Sequence, residues 1–192
     1  MRELILASQS LRRLEILNQC GIKPRVISSK VDEIINEFEK PEQIVMSLAF
    51  KKALDVSNRI NTGIILGADT LVVIGDTILG KPKDEFDARK MLESLSGKSH
   101  KVITGFCLID PLNNIKSVDY ETSEVLFHKL SKDQINSYIE TREYQDKAGS
   151  YAIQGKGALL VEKISGCYFN IVGLPISKIN QTLNQYFNYN LL

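Results

Sequence analysis

Apolar runs of strand length and helical spacings alternate along this chain. Residues 3–7, containing Leu4-Ile5-Leu6-Ala7, read as a short buried strand, and 10–20 as a helix with Leu11, Leu14, Ile16 and Leu17 inward, stopped by Gly21. A second short strand is predicted at 24–28. Pro41 opens a long helix to about Arg59, with Ile44, Met46, Leu48, Ala49 and Val56 among its apolar positions. Two strands, 63–68 and 71–74, are predicted on either side of an interruption at Ala68-Asp69-Thr70. A turn at Gly75-Asp76 then leads to a short strand at 77–79.

Further along, Gly80 to Lys83 reads as a loop, followed by a helix from Asp84, a suitable N-cap, to Leu95, with Gly97 as its stop. Longer strands at 100–109 and 115–127 flank the turn residues Asp110-Pro111-Leu112-Asn113-Asn114. Ser131 caps a helix to about Thr141, and a polar, small-residue loop runs from Tyr144 to Gly157. A strand at 158–164 and a helix from Leu174 to Phe187, entered through Pro175, complete the pattern, and the tail NQYFNYNLL is expected to fray. Alternating elements followed by a long hairpin predict an α/β or α+β fold with a mixed sheet and a cleft between two lobes. No internal repeat or linker divides residues 1–192, so a single two-lobed domain is expected.

Charge narrows the function classes. Lys and Arg number 24 against 23 Asp and Glu, a formal net charge of +1. Nucleic acid and anionic membrane surfaces are therefore not expected partners, and any anion recognition must come from local clustering. The three cysteines, Cys20, Cys107 and Cys167, lie far apart, which fits a reducing cytosol rather than a disulfide framework. With His100 and His128 as the only histidines, no zinc-type spacing exists. The first apolar run is too short for a signal-peptide core, and no run approaches a membrane span, so a cytoplasmic protein is expected.

Several clusters contain polar groups that a plain core would not need. Ser8, Ser10, Arg12 and Arg13 gather where a strand ends and a helix begins. Free N–H groups and the helix dipole favour negative charge there, and arginine forks match phosphate oxygens. The plain alternative is a serine-capped helix with solvated arginines. Asp32 and Glu33 follow the second strand, and such a pair alone is most often a solvated turn. In AFKKA, residues 49–53, one of Lys51 and Lys52 must leave the solvent face if Ala49 and Ala53 pack inward. Asp69 lies within GIILGADTLVVIG, a run so apolar that its carboxylate must be paired, hydrogen-bonded or metal-bound, or else serve a turn.

Lys81 stands in a tight loop after a strand, and Gln154 stands among small residues. An amide with both donor and acceptor atoms suits a base edge, and Gly149, Gly155 and Gly157 suggest a backbone that must approach something closely, with a floppy surface loop as the alternative. Basic groups for phosphates, carboxylates for a divalent ion and an amide for a polar ring together point to nucleotide phosphoryl chemistry. Neither a GxxxxGK[ST] loop nor a GxGxxG after the first strand is present.

The motifs ASQSLRR, VDE, AFKKA, GADT, GKP and AGSYAIQGKG, in this order, resemble those of Maf proteins, nucleoside triphosphate pyrophosphatases historically linked to septum formation. The resemblance extends from Leu4 to about Pro175. It implies an elongated mixed α/β fold with a deep cleft, akin to inosine triphosphate pyrophosphatases. It also implies hydrolysis between the α- and β-phosphates to a nucleoside monophosphate and pyrophosphate, with Mg²⁺ or Mn²⁺ required. By the same resemblance, Ser8, Ser10, Arg12 and Arg13 look like the triphosphate cradle, and Lys52 and Lys81 like further phosphate ligands. Glu33 and Asp69 look like metal ligands or water activators, with Asp69 the proton acceptor.

The stretches DKAGSYAIQG and GCYFNIVGLP resemble the dTTP/UTP branch rather than the 7-methyl-GTP branch, with Arg12, Thr70 and Gln154 at the specificity positions. Leu11 departs from the proline usual in the family, and Ser150 replaces another small residue. A homodimer is common in the family, and its cellular task is clearing non-standard nucleotides or restraining division. The reading from a different class is a nucleotide-sensing regulator with little turnover.

Overall fold

The computed structural model describes residues 2–33 and 39–192. Among them, seven strands form one mixed sheet in the order β2-β1-β3-β5-β6-β7, with β4 on β3. β1 (Leu4–Leu6) pairs in parallel with both β2 (Arg25–Val26) and β3 (Ile64–Ile74). Parallel neighbours need crossover connections, and the helices α1 (Leu11–Gln19) and α2 (Pro41–Ser57) lie in these two. β4 (Thr77–Leu79) pairs with β3 antiparallel. β5 (Ser99–Asp110) and β6 (Ile115–Phe127) are neighbours joined by a short turn, and β7 (Val161–Ser165) pairs antiparallel with β6 through a bulge at Leu126/Phe127. The mixed α/β class expected from the pattern is the class observed. No helix of the described residues is long and apolar enough to cross a membrane.

The chain divides into two compact units, Met1–Asp69 with Thr104–Glu121 and Gly173–Leu192, and Thr70–Ile103 with Thr122–Val172. In the first unit, Ile5, Ala7, Ala49, Ala53, Val56, Ile65, Cys107 and Ile109 form one buried cluster. α2 lies directly on the sheet because two strand positions lack a side chain. A Cβ on Gly67 would stand 2.4 Å from the Ala49 carbonyl oxygen, and one on Gly105 would stand 2.4 Å from the Val45 carbonyl carbon. Residues 45, 48, 49, 52, 53 and 56 share the buried face of α2, so Lys52 is carried to the sheet with its apolar neighbours.

Two expectations in this unit are corrected. β3 is not two strands broken at Ala68-Asp69-Thr70 but eleven continuous residues, because Asp69 finds a cationic partner within the fold and the ladder does not need to break for it. Leu11 does not face inward but is 72% exposed, while Ile16 and Leu17 are buried. At about 3.6 residues per turn, it lies roughly 120–140° around the helix from those two. The last helix ends at Phe187 as predicted, so residues 184–187 of the tail expected to fray are helical. α6 (Ile176–Phe187) buries Phe187, whose carbonyl accepts from the Arg2 guanidinium, itself paired with buried Asp110.

The second unit contains α3 (Glu85–Leu95) and α4 (Lys132–Glu140), both capped as their sequences predict. Asp84 accepts from the Asp87 N–H at 2.8 Å. Ser131 accepts from the Gln134 N–H at 3.2 Å, and the Gln134 side chain returns to the Ser131 N–H at 2.8 Å, a reciprocal capping box. α5 (Tyr168–Val172) was not expected; five residues are too few for periodicity to reveal. Residues 158–160 are not strand, since a tight 3-10 helix occupies Gly155–Leu160 and β7 starts only at Val161. Capture of the Lys156 and Gly157 N–H groups by Glu143 curls this segment away from the extended form.

Candidate functional site

In the first unit, the end of β1 delivers Ser8 to the start of α1. The Ser8 hydroxyl oxygen accepts from the Ser10 N–H at 3.1 Å and from Arg13 Nη1 at 3.2 Å. Ser10 occupies the N-cap position of α1, yet its side chain makes no cap hydrogen bond. The serine-cap alternative is therefore not what the fold uses. Arg13 is fixed a second time by its Nε, which donates to the Gly173 carbonyl at 2.9 Å. Burial lowers the pKa of this guanidinium from its ordinary value; Asp69 and Glu33 oppose the shift and Arg12 reinforces it. These couplings put both arginines and both carboxylates within one electrostatic neighbourhood.

At the centre of that neighbourhood, α2 presents Lys52, 7% exposed. Its Nζ donates to Asp69 Oδ1 and to Glu33 Oε1, each at 2.6 Å. Lys52, rather than Lys51, is the lysine that leaves the solvent face, because it falls on the helix stripe that meets the sheet. A buried ammonium and a buried carboxylate are tolerated only when paired, and here the pair is joined by a second, more exposed carboxylate, that of Glu33.

No group of three or more His, Cys, Asp or Glu that could hold a metal occurs among the described residues. Two carboxylates do not make an all-protein cage. They do suit Mg²⁺ or Mn²⁺, hard cations held by one or two carboxylates together with substrate phosphates and water.

The second unit contains the remaining sequence-nominated residues. Thr70 follows Asp69 along β3 and is half-buried, Lys81 is exposed just beyond β4, and half-buried Gln154 begins the Gly155–Leu160 helix. The loops bearing Lys81 and Gln154 are tied together, since the Gly149 N–H donates to the Gly80 carbonyl at 3.1 Å.

The 144–157 segment is not a floppy loop. Its Ala152 N–H donates to the Tyr138 hydroxyl at 3.2 Å, the Ser150 hydroxyl donates to Met91 Sδ at 3.0 Å, and the Tyr151 hydroxyl meets His100 Nε2 at 2.7 Å. Burial pushes the His100 pKa down to about 4, against an opposing hydrogen bond with the Lys98 backbone, so the ring is a neutral hydrogen-bond partner near pH 7. Sequence reasoning did not nominate Glu143, Tyr138, His100 or Tyr151. The only signal was indirect: the glycines of the segment already implied a close backbone approach.

Comparison with known proteins places the chain in a family. A family model described as Maf-like protein matches residues 3–186. A dTTP/UTP pyrophosphatase of Clostridioides difficile (strain 630) is 52% identical over 188 residues, covering 98% of this chain and 97% of that protein. A dTTP/UTP pyrophosphatase of Alkaliphilus oremlandii (strain OhILAs) is 50% identical over 193 residues, covering 100% of both. Among solved structures, a HAM1 protein from Coxiella burnetii has a TM-score of 0.55 at 17% identity, covering 96% of this chain and 100% of that one, a likeness of fold alone. With the family model spanning nearly the whole chain and about half of all positions shared with relatives of the same length, this protein belongs to the Maf-like protein family.

Proposed function

We propose that the chain hydrolyses dTTP and UTP between the α- and β-phosphates, releasing the nucleoside monophosphate and pyrophosphate. The observation that carries this reading is the Lys52–Asp69–Glu33 group beside Arg12 and Arg13, cations for phosphate joined to carboxylates for water. Two relatives at 50% and 52% identity bear that activity in their names.

The reaction is a single in-line displacement. Arg12 and Arg13, with Ser8 and Ser10 beside them, grip the triphosphate, and Lys52 and Lys81 add positive charge along it. These donors stabilise the charge that grows on the pyrophosphate as the bond between the α-phosphorus and the bridging oxygen breaks. Asp69, held in place by Lys52 at 2.6 Å, accepts the proton of the water that attacks the α-phosphorus. Glu33 and Asp69 would hold Mg²⁺ or Mn²⁺, which when bound neutralises phosphate charge. Thr70, Gln154 and Arg12 select the base. A cytoplasmic location and a homodimer belong to the same reading.

The test is pyrophosphate release from dTTP, UTP, CTP, ATP and GTP in the presence of Mg²⁺. Release with dTTP and UTP, abolished by EDTA and restored by Mg²⁺ or Mn²⁺, is expected. A purine preference overturns the base assignment but not the enzyme class. Saturable nucleotide binding without pyrophosphate release replaces the enzyme by a nucleotide sensor.

A further inference from the structure

Gln154 sits where a helix ordinarily recruits a side chain to cap its first free N–H groups. It occupies the N-cap position of Gly155–Leu160 with extended backbone, φ −88° and ψ 164°, yet its side chain makes no cap hydrogen bond. Glu143 performs that task from eleven residues upstream in the chain. Its Oε1 accepts from the Lys156 N–H at 3.2 Å and its Oε2 from the Gly157 N–H at 3.3 Å. Gly155 makes room for the carboxylate: its φ is +65°, and a Cβ there would stand 2.9 Å from both carboxylate oxygens.

The surrounding backbone is held where side chains disfavour it. Arg142, Asp146 and Ser150 take φ of +59°, +58° and +61°, the left-handed region, within a stretch that also holds Gly149 at +67°. Such a conformation persists only where the surroundings enforce it, and it gathers at sites that need a preset geometry. Next to these residues, hydrogen bonds of Tyr138, of the His100–Tyr151 pair and of Glu143 hold Ala152, Tyr151 and Lys156.

We infer that Glu143 is a positioning residue for base selection. By capping the Gly155–Leu160 helix in place of Gln154, it fixes the backbone at Gln154 and leaves the Gln154 amide for the edge of a pyrimidine. Uracil and thymine present an N–H donor between two carbonyl acceptors, which an amide carbonyl and amino group complement. Cytosine presents a ring acceptor beside an amino donor, so the amide must turn over to meet it and disfavours it when held in the orientation that fits uracil. Without Glu143, the cap N–H groups compete for the Gln154 carbonyl oxygen. The inference rests on the reading that Gln154 meets the base.

The experiment measures kcat and KM for dTTP and dCTP in wild type, Glu143→Ala, Glu143→Gln and Gln154→Ala. Glu143→Ala is expected to raise the dTTP KM about tenfold, equivalent to roughly one charge-assisted hydrogen bond, with kcat little changed. The dTTP-to-dCTP ratio of kcat/KM should fall by a similar factor. Glu143→Gln keeps a carbonyl acceptor without the charge and should recover most of both. If Glu143→Ala fails to fold, Glu143→Gln carries the test through a KM raised about two- to threefold and a lowered ratio. Glu143 variants with wild-type KM and ratio, alongside a Gln154→Ala variant that loses both, overturn the positioning role and leave the base reading standing. A Gln154→Ala variant with unchanged KM and ratio overturns the base reading and this inference with it.

Discussion

Asn in place of Asp69 separates the structural from the chemical contribution of one carboxylate. Lys52 and Asp69 have side chains only 9% and 10% exposed, with a 2.6 Å contact, so full deletion of one partner would cost about 3–5 kcal/mol. Asn retains an acceptor oxygen for Lys52 Nζ, and Glu33 continues to pair with the ammonium at 2.6 Å, although its side chain is 40% exposed and contributes less. The net destabilisation should therefore be about 1–2 kcal/mol, and for a chain of this size the Tm should fall by about 2–8 °C. Turnover responds differently. An amide cannot accept the proton of the attacking water, so kcat for dTTP should fall by at least about a hundredfold, or roughly 2.7 kcal/mol of barrier. Calorimetric melting and pyrophosphate release at 25 °C read the two effects separately. Turnover within a few fold of wild type, in a variant that melts as expected, would refute Asp69 as the base.

Two further outcomes follow from the buried titratable groups. Lys52→Met leaves two carboxylates facing one another and should lose about 3–5 kcal/mol, with much of that recovered in the Lys52→Met, Asp69→Leu double variant, as thermal melting would show; an unaltered Tm in the single variant would rule out the pair as a stabilising contact. His100 is 3% exposed, with its pKa lowered from 6.5 to about 4. The unfolded chain therefore binds a proton between those values that the folded chain refuses. Its contribution is complete above about pH 6.5 and is lost as the pH falls towards 4, about 3 kcal/mol in all. His100→Phe should flatten that slope in melts taken from pH 7.5 to 5, and an unchanged slope would show that His100 does not produce it.

The helices were legible where their signals are local. The Asp84 and Ser131 caps depend on side chains three residues from their partners, and both helices begin where the pattern places them. β3 was misread because a carboxylate in an apolar run argues for a break when its partner is unseen. That partner, Lys52, is 17 residues away and reaches it from the helix packed on the sheet. The choice between Lys51 and Lys52 was likewise open until the helix face against Gly67 was known. Glu143 gave no signal of its own, since a glutamate after a helix is ordinary and its targets lie 13 and 14 residues downstream.

What the amino-acid order determined by itself is the alternation of elements, the mixed α/β class and a set of candidate side chains for phosphate, metal and base, because periodicity, caps and motif spacing are properties of neighbouring residues. Tertiary structure alone decided which lysine is buried, that Lys52 stands between Asp69 and Glu33, that Ser8 supports Arg13 instead of capping a helix, and that Glu143 holds the Gln154 segment. Apart from the Ser8–Arg13 contact, which spans five residues, each depends on a contact between residues distant along the chain, and such a contact exists only once backbone packing has brought the partners within hydrogen-bonding distance.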